Sequence, residues 1–399
     1  MNLRRAHILF KNQIAGLVEE TPQNGTLFTY QEGWSETIAC ALPIEEKRVE
    51  WPRGLHPVFQ NLVAEGWLRQ QQARAGDVPK EDDFGLLLRY GDDCIGAISV
   101  RPIDKPENEA RKEPKTPSGN DLADAATIDG RTVSGVQIKL LAWHDGNQFQ
   151  PATEDSPATY IAKYAPLNEP TLLRNELLSL TLAREILGPE EVTGFENGPV
   201  QGIPDHALLV ERFDRTPDGG KLRLEDFAQI LVQPPPGNIF RGKYDGSYEE
   251  IAEGIKRYSA RPAIDLARFF SALVFTLLIG NSDAHLKNWS LLERPEGLRL
   301  SPQYDLLNTA LYRGDYGTRT ALELCGSKVA LDAVDRQLVL HFAEHIGLAQ
   351  RAAELRLENL RRRLARSDCL QPHPAESPDG FLNRYSEVVG NACARILEP

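Results

Sequence analysis

The feature that most constrains the fold is an apolar run that stops abruptly at a polar loop. Residues 266–279 carry an apolar or small side chain at nearly every position. This pattern predicts a helix buried on all sides rather than an amphipathic surface helix. Gly280 follows the run, and glycine just past a helical pattern is a common helix terminator. Because Asn281, Ser282 and Asp283 come next, we expect a rigid helix to present a polar loop.

This loop has the residue spacing of a phosphoryl-transfer site. Asp283 and Asn288 stand in the D-x-x-x-x-N spacing of a kinase catalytic loop, in which the aspartate accepts a hydroxyl proton and the asparagine holds magnesium. Two strand-like runs around the turn at 294–297 follow, and then comes Asp305. Since a hairpin returns the chain towards the loop, we expect Asp305 to be a second magnesium ligand. The spacing alone also fits a solvated loop, but the buried helix before it and the acid after it favour a site.

Length, composition and charge set outer bounds on the class of protein. The chain of 399 residues, 41% of them hydrophobic, is expected to form roughly two to three globular domains. Its five cysteines are scattered, without a Cys-x-x-Cys pair, which suits a reducing cytoplasm. We expect a cytoplasmic protein with no membrane partner, because the start lacks a secretory signal and residues 269–279 are too short to span a bilayer. A net charge of −12 argues against a large nucleic-acid-binding face.

The pattern along the chain predicts an N-terminal domain, a linker and two lobes. Residues 1–100 have strand-like runs and a helical pattern at 57–71, despite Gly66, which indicates a small α+β domain. Residues 101–130 are rich in proline and charge, as in a linker. Residues 131–215 predict a β-rich upper lobe and residues 216–399 a mostly helical lower lobe. The predicted fold class is therefore α+β, a two-lobed protein-kinase-like fold preceded by the N-terminal domain.

The upper lobe contains two candidate phosphate-binding features. Residues 134–139 (SGVQIK) predict a tight turn between two strands whose backbone amides can cradle phosphate, although an ordinary hairpin is the alternative. Lys163 lies inside an apolar strand at 160–164. Burying its ammonium group is costly unless it meets an anion such as a nucleotide phosphate. The alternative is a lysine on the open face of an edge strand.

Seven motifs occur in order along the chain. They are SGVQIK at 134–139, IAKY at 161–164, NE at 175–176, VERFDR at 210–215, RLEDFAQ at 223–229, GNSDAHLKN at 280–288 and QYDLLNT at 303–309. Together they resemble the HipA family, the serine/threonine kinase toxins of HipBA toxin–antitoxin modules. The resemblance is strong over residues 131–310, and the first hundred residues look like the family's N-terminal domain.

The resemblance implies ATP and Mg²⁺ as cofactors and assigns a role to each site residue. Asp283 corresponds to the catalytic aspartate, with His285 and Asn288 as its loop partners. Asn288 and Asp305 correspond to the metal ligands. Ile138 stands where the family's usual phosphate-loop motif has a glutamate. The implied nucleotide-binding residues are Ser134, Gly135, Val136, Gln137, Ile138, Lys139, Lys163, the hinge residues Glu211, Arg212 and Phe213, and His285, Lys287, Asn288, Tyr304 and Asp305.

The resemblance also implies partners and a form of self-regulation. The family's substrates are aminoacyl-tRNA synthetases, so a synthetase is the implied protein target here. The usual partner is a HipB-type helix-turn-helix antitoxin, which contacts operator DNA, so this chain would meet DNA only indirectly. Thr132 and Ser134 are the candidate autophosphorylation sites. A phosphate there would add about two negative charges beside the ATP phosphates and repel them.

Three alternatives follow from the same residues. The first is a catalytically silent kinase-fold corepressor that acts with a DNA-binding antitoxin, although the lysine, aspartates and asparagine of the reaction are all present. The second is a small-molecule kinase of the aminoglycoside or choline type, which the N-terminal domain and VERFDR disfavour. The third is a metal hydrolase that uses Asp283, His285 and Asp305, but no second histidine lies at ligand spacing.

Overall fold

A computed structural model of the protein describes residues 3–103, 126–127, 131, 137–153, 155–166, 168–232, 242–312, 314, 316–371 and 380–398. The strands are β1 Arg5–Phe10, β2 Gln13–Glu20, β3 Thr26–Tyr30, β4 Arg48–Trp51, β5 Ile98–Pro102, β6 Ile138–His144, β7 Phe149–Pro151, β8 Tyr160–Tyr164, β9 Phe195–Pro199, β10 His206–Glu211, β11 Leu224–Asp226, β12 Ser290–Arg294 and β13 Gly297–Leu300. The α-helices are α1 Pro57–Gln60, α2 Gly66–Gly76, α3 Asp83–Tyr90, α4 Leu172–Ile186, α5 Phe227–Ile230, α6 Tyr248–Tyr258, α7 Pro262–Leu278, α8 Arg336–His345, α9 Gln350–Leu364 and α10 Phe381–Ile396.

The chain forms two compact units. The first unit consists of residues 1–167 and 194–239, and the second of residues 168–193 and 240–399. Both units therefore draw on two separate stretches of the chain. Within the part of the chain that the structure describes, no helix is both long and apolar enough to cross a membrane.

The N-terminal part of the first unit is an antiparallel sheet covered by short helices. Its strand order is β4-β3-β2-β1-β5. β1 and β2 form a hairpin that turns through Lys11 and Asn12, both at positive φ. The single helix expected at 57–71 is wrong. Two helices form instead, because Glu65 is extended and Gly66 has a φ of +55°, which interrupts helical hydrogen bonding.

A second antiparallel sheet in the first unit has the order β7-β6-β8-β10-β9. Its central strands β6 and β8 each contain a run of consecutive buried residues, and Leu140, Leu141 and Ala162 belong to its core. Tyr160–Tyr164 is the predicted lysine-bearing strand, and it pairs with β6 on one side and β10 on the other. Lys163 is thus on a central strand, not on the edge strand of the alternative reading.

A buried ion network fastens the end of β10 to the N-terminal sheet within the first unit. The fully buried Arg212 donates to Asp214 at 3.0 Å and to the Cys94 carbonyl at 3.0 Å. Arg215 donates to Asp214 at 2.8 Å and to Asp93 at 2.6 Å. Burial alone would raise the pKa of Asp214, but the two guanidinium groups hold it below its usual value. The charged end of the VERFDR motif therefore has a structural role, since it joins the end of β10 to residues 93 and 94.

Helix α7 is the centre of the second unit. From Asp265 onward its side chains are buried, apart from the half-buried Arg268, and it packs against α6, α9 and α10. The predicted buried helix is confirmed and begins four residues earlier, at Pro262, where proline suits a first helical position. Gly280 follows at φ +69°, and a Cβ there would lie 2.8 Å from Val388. Both the backbone conformation and the close packing require glycine at this helix end.

Asp265 joins the start of α7 to the hairpin of β12 and β13. Its carboxylate is inaccessible to solvent and accepts hydrogen bonds from both Arg268 and Arg299 at 2.9 Å. It also accepts from the backbone N–H of Leu300 at 3.0 Å and from Ser259. Burial alone would raise the pKa of Asp265, but these hydrogen bonds lower it below its usual value. The carboxylate is thus charged at neutral pH, and its stabilising contribution is lost only in acid.

We predict that Asp265→Asn lowers the free energy of unfolding by about 3 kcal/mol, because two arginines lose their buried counter-charge. The measurement is urea unfolding followed by tryptophan fluorescence. The matched control is Asp332→Asn, at an exposed aspartate of the same unit, which should change the value by less than about 0.5 kcal/mol. Equal unfolding midpoints for wild type and Asp265→Asn contradict the anchoring role.

Candidate active site

The polar loop after α7 is held by a second segment of the same unit. Thr309 donates through its hydroxyl to the Gly280 carbonyl at 3.1 Å, and the backbone N–H of Ser282 donates to that hydroxyl at 2.6 Å. Within the loop, the backbone N–H of Asp283 donates to the side-chain oxygen of Asn281 at 2.9 Å. Asp283 therefore leaves the helix in a fixed conformation, with its side chain half-buried.

Asn288 and Asp305 lie side by side, as the hairpin argument predicted. Asn288 Nδ2 donates to Asp305 Oδ2 at 3.0 Å, and the Asn288 side-chain oxygen accepts from the backbone N–H of His285 at 3.0 Å. Asp305 has a φ of +56°, in the left-handed region that aspartate adopts more readily than most residues other than glycine. The loop after α7 and the segment after the hairpin thus meet at two oxygen-bearing side chains.

Tyr244 contacts Asp283 directly. Its hydroxyl donates to Asp283 Oδ1 at 2.6 Å, and its ring packs edge-on against His285 at a centroid distance of 5.0 Å. We did not predict this residue from the sequence, because it precedes Asp283 by 39 positions and no spacing rule joins them. The signal in the sequence was its place among aromatic and basic residues at 240–244, shortly after three consecutive prolines.

The remaining predicted residues of the second unit surround the same loop. His285 is buried, whereas Lys287 and Tyr304 are half-buried. The Tyr304 hydroxyl donates to the Lys287 carbonyl at 2.9 Å and also bonds the Ser290 hydroxyl. The segment that carries Asp305 therefore makes hydrogen bonds to the loop region after α7 through two successive residues, Tyr304 and Asp305.

Asp283 and Asp305 bring two carboxylates to one region. Burial, and then the negative charges of Asp283 and Asp305, raise the pKa of the Tyr316 phenol above its usual value. The two carboxylates thus act on a common neighbour. Carboxylate and carboxamide oxygens are the ligands that Mg²⁺ prefers. The donor set of Asn288 and Asp305 therefore fits a magnesium ion.

The first unit contributes two lysines on one face of its sheet. Lys139 and Lys163 are directly opposite each other in the β6–β8 pair, and both are buried. Directly opposite residues of antiparallel strands project from the same face, where like charges repel. Two lysine side chains on one face of the sheet offer positive charge to an anion. Gln137 and Ile138 lie at the start of the same strand.

The predicted hinge residues have mixed roles. The backbone N–H of Glu211 donates to the Gly194 carbonyl, and that of Arg212 donates to the Thr159 carbonyl, both at 2.8 Å. The Arg212 side chain belongs to the buried ion network, so it is not directed at a ligand. Phe213 follows directly after them.

Four further predicted residues lie outside the described residues, namely Thr132, Ser134, Gly135 and Val136.

Comparison with known families agrees with this arrangement. The model of the HipA-like C-terminal domain matches residues 131–367, and the model of the HipA N-terminal domain matches residues 6–101. The first match alone covers more than half of the chain. The chain belongs to the HipA family of kinases.

Individual relatives support the same conclusion. A Sinorhizobium fredii protein named as a kinase, Y4mE, is 30% identical over 388 residues, which cover 90% of each chain. The serine/threonine-protein kinase toxin HipA of Shewanella oneidensis is 26% identical over 359 residues, covering 80% of this chain and 78% of that protein. A solved structure of Shewanella oneidensis HipA with HipB and operator DNA matches with a TM-score of 0.74 and 20% identity, over 98% of this chain and 97% of that chain. The predicted two-lobed, kinase-like α+β fold is confirmed.

We predict that Tyr244→Phe lowers the rate of phosphoryl transfer about tenfold to a hundredfold. The substitution removes a hydrogen bond to a carboxylate, worth about 1.5–3 kcal/mol, but keeps the ring against His285. The measurement is kcat and the KM for ATP, and we expect the change in kcat. Tyr258→Phe, at the end of α6, is the control. An unchanged kcat in Tyr244→Phe contradicts a role for this contact in orienting Asp283.

Proposed function

We propose that this chain is an ATP- and Mg²⁺-dependent serine/threonine protein kinase and the toxin of a HipBA-like toxin–antitoxin module. The observation that carries the proposal is the grouping of Asp283, Asn288 and Asp305 at the end of one buried helix, which joins a candidate base to a candidate metal pair. The membership of the HipA family supports it, as does the name of the Shewanella relative.

In this mechanism Asp283 accepts the proton of the substrate hydroxyl. Tyr244 donates to one carboxylate oxygen, Oδ1, so the carboxylate is held in one orientation, and pre-positioning of this kind is a main source of rate enhancement in phosphoryl transfer. The backbone of His285 donates to the side chain of Asn288. His285 is thus a positioning residue for the metal pair.

Asn288 and Asp305 would hold Mg²⁺, which neutralises charge on the β- and γ-phosphates when it is bound. Lys139 and Lys163 would bind phosphate oxygens from the first unit, because they place two positive charges on one face of the sheet. The remaining proposed nucleotide contacts are the phosphate loop at 134–138, the hinge residues Glu211, Arg212 and Phe213, and the loop residues His285, Lys287 and Tyr304.

We further propose an aminoacyl-tRNA synthetase as the protein substrate and a HipB-like helix-turn-helix antitoxin as the partner. The solved Shewanella assembly contains HipA, HipB and operator DNA, which supports a DNA contact through the antitoxin. Autophosphorylation at Thr132 or Ser134 would limit the activity, because its added charge lies beside the phosphate loop.

We predict that Asp283→Asn abolishes Mg²⁺-dependent transfer of labelled phosphate from ATP while ATP binding is retained. Loss of the base should lower the rate at least about a hundredfold. The assay uses purified protein alone and with a panel of aminoacyl-tRNA synthetases, and mass spectrometry locates the phosphate. Asp332→Asn is the control and should transfer normally.

Different outcomes separate the alternatives. Label on one synthetase identifies the substrate, and label on Thr132 or Ser134 identifies the autophosphorylation site. ATP binding without any transfer in the wild type contradicts the kinase and favours the silent corepressor. Hydrolysis of a phosphodiester without ATP consumption favours the metal hydrolase.

A further inference from the structure

A second cluster of metal-ligating side chains lies in the second unit. One ligand atom each from Cys325, His341 and His345 lies within 4.8 Å of the others. The two histidines are one helical turn apart on α8, with ring centroids 4.1 Å apart. Residues at positions i and i+4 share a helix face, which is a common way to present two imidazoles to one ion. This cluster shares no residue with the proposed kinase site.

A carboxylate lies beside the same cluster. The backbone N–H of Cys325 donates to Glu249 Oε1 at 2.8 Å. The other carboxylate oxygen, Oε2, is buried and accepts no hydrogen bond among the residues that the structure describes. A buried carboxylate oxygen without a donor is costly. A cation at the cluster would satisfy it.

Cys325 itself has an unusual backbone. Its φ is +51°, in the left-handed region that few side chains other than glycine, asparagine and aspartate adopt. It lies in a tight turn in which Leu324 and Ser327 bond each other. The strained turn holds the cysteine near α8, and strain of this kind is concentrated at functional positions.

We propose that Cys325, His341 and His345, with Glu249 as the fourth ligand, bind one Zn²⁺ ion. Thiolate and imidazole are preferred zinc ligands and disfavour Mg²⁺. One thiolate and one carboxylate balance the charge of the ion. Ligand atoms around a tetrahedral zinc lie about 3.5 Å apart, given zinc–ligand bonds of about 2.0–2.3 Å. Since both histidines are exposed, small rotations of their side chains close the site.

The ion would have a structural effect on the kinase unit. It would link three elements, namely the Cys325 turn, helix α8 and the first turn of α6, which carries Glu249. Lys328, just after the turn, donates to the Tyr244 carbonyl at 3.0 Å, and Tyr244 in turn donates to Asp283. Bound zinc would therefore stabilise the surroundings of Tyr244.

The test uses untagged, full-length protein that has been stripped with a chelator and then titrated with Co²⁺ in excess Mg²⁺. We expect one Co²⁺ per chain, with a near-ultraviolet thiolate-to-cobalt absorption and strong visible bands of tetrahedral coordination, and displacement by Zn²⁺. Cys325→Ser should lose the near-ultraviolet band, and His345→Gln should weaken binding at least tenfold. Cys369→Ser and His206→Gln, at residues outside the cluster, are the matched controls.

A melting experiment provides a second readout. Zn²⁺ should raise the melting temperature of the wild type and leave that of His345→Gln, an exposed helix position that folding does not require, unchanged. Absence of stoichiometric binding at micromolar metal, or a cobalt spectrum unaltered by Cys325→Ser, overturns the proposal. Neither readout depends on phosphoryl transfer, so the zinc site and the kinase activity are tested separately.

Discussion

The candidate site depends most on the pairing of the buried Asp265 carboxylate with Arg268 and Arg299. It anchors the start of α7 to the hairpin of β12 and β13 through two arginines and a backbone N–H. The other end of α7 leads directly into the loop of Asp283 and Asn288. Because one helix fixes both the loop and the hairpin, the residues that follow the hairpin return to the loop. Asp305 can then meet Asn288 at hydrogen-bonding distance.

Polar contacts hold the loop after α7 in its conformation. The Thr309 hydroxyl bonds both the Gly280 carbonyl and the backbone N–H of Ser282. Tyr244 holds the orientation of Asp283 through a hydrogen bond. Asp305 has a left-handed backbone, and the hydrogen bond from Asn288 holds its side chain beside the loop. Burial of the apolar helix and the polar contacts thus have different effects. Apolar burial positions a segment, and directional hydrogen bonds set the geometry of its side chains.

The sequence predicted those features that depend on local patterns. The apolar run before Gly280 has no other reasonable reading than a buried helix, and the turn at 294–297 between two strand-like runs indicates a hairpin. The position of Asp305 followed from these two elements. The domain limits and the catalytic roles of these residues stay predictions.

Contacts between distant residues were not predictable in the same way. Tyr244 contacts Asp283 because the fold places the turn at 242–244 beside the loop after α7. No periodicity in the sequence predicts this contact. Arg212 was expected near the nucleotide, but its guanidinium lies in the buried network with Asp214. The break at Gly66 was missed because the apolar spacing continues through it, and only the backbone φ reveals the interruption.

The most direct test of the account is whether Asn288 and Asp305 form one nucleotide-dependent metal site. Mn²⁺ binding in the presence of a non-hydrolysable ATP analogue can be followed by the electron paramagnetic resonance signal of free Mn²⁺. We predict stoichiometric, nucleotide-dependent binding by the wild type and its loss in both Asn288→Ala and Asp305→Ala, while Asp332→Asn binds normally. Nucleotide-dependent binding that is equally tight in the wild type and in both alanine variants would contradict the central claim.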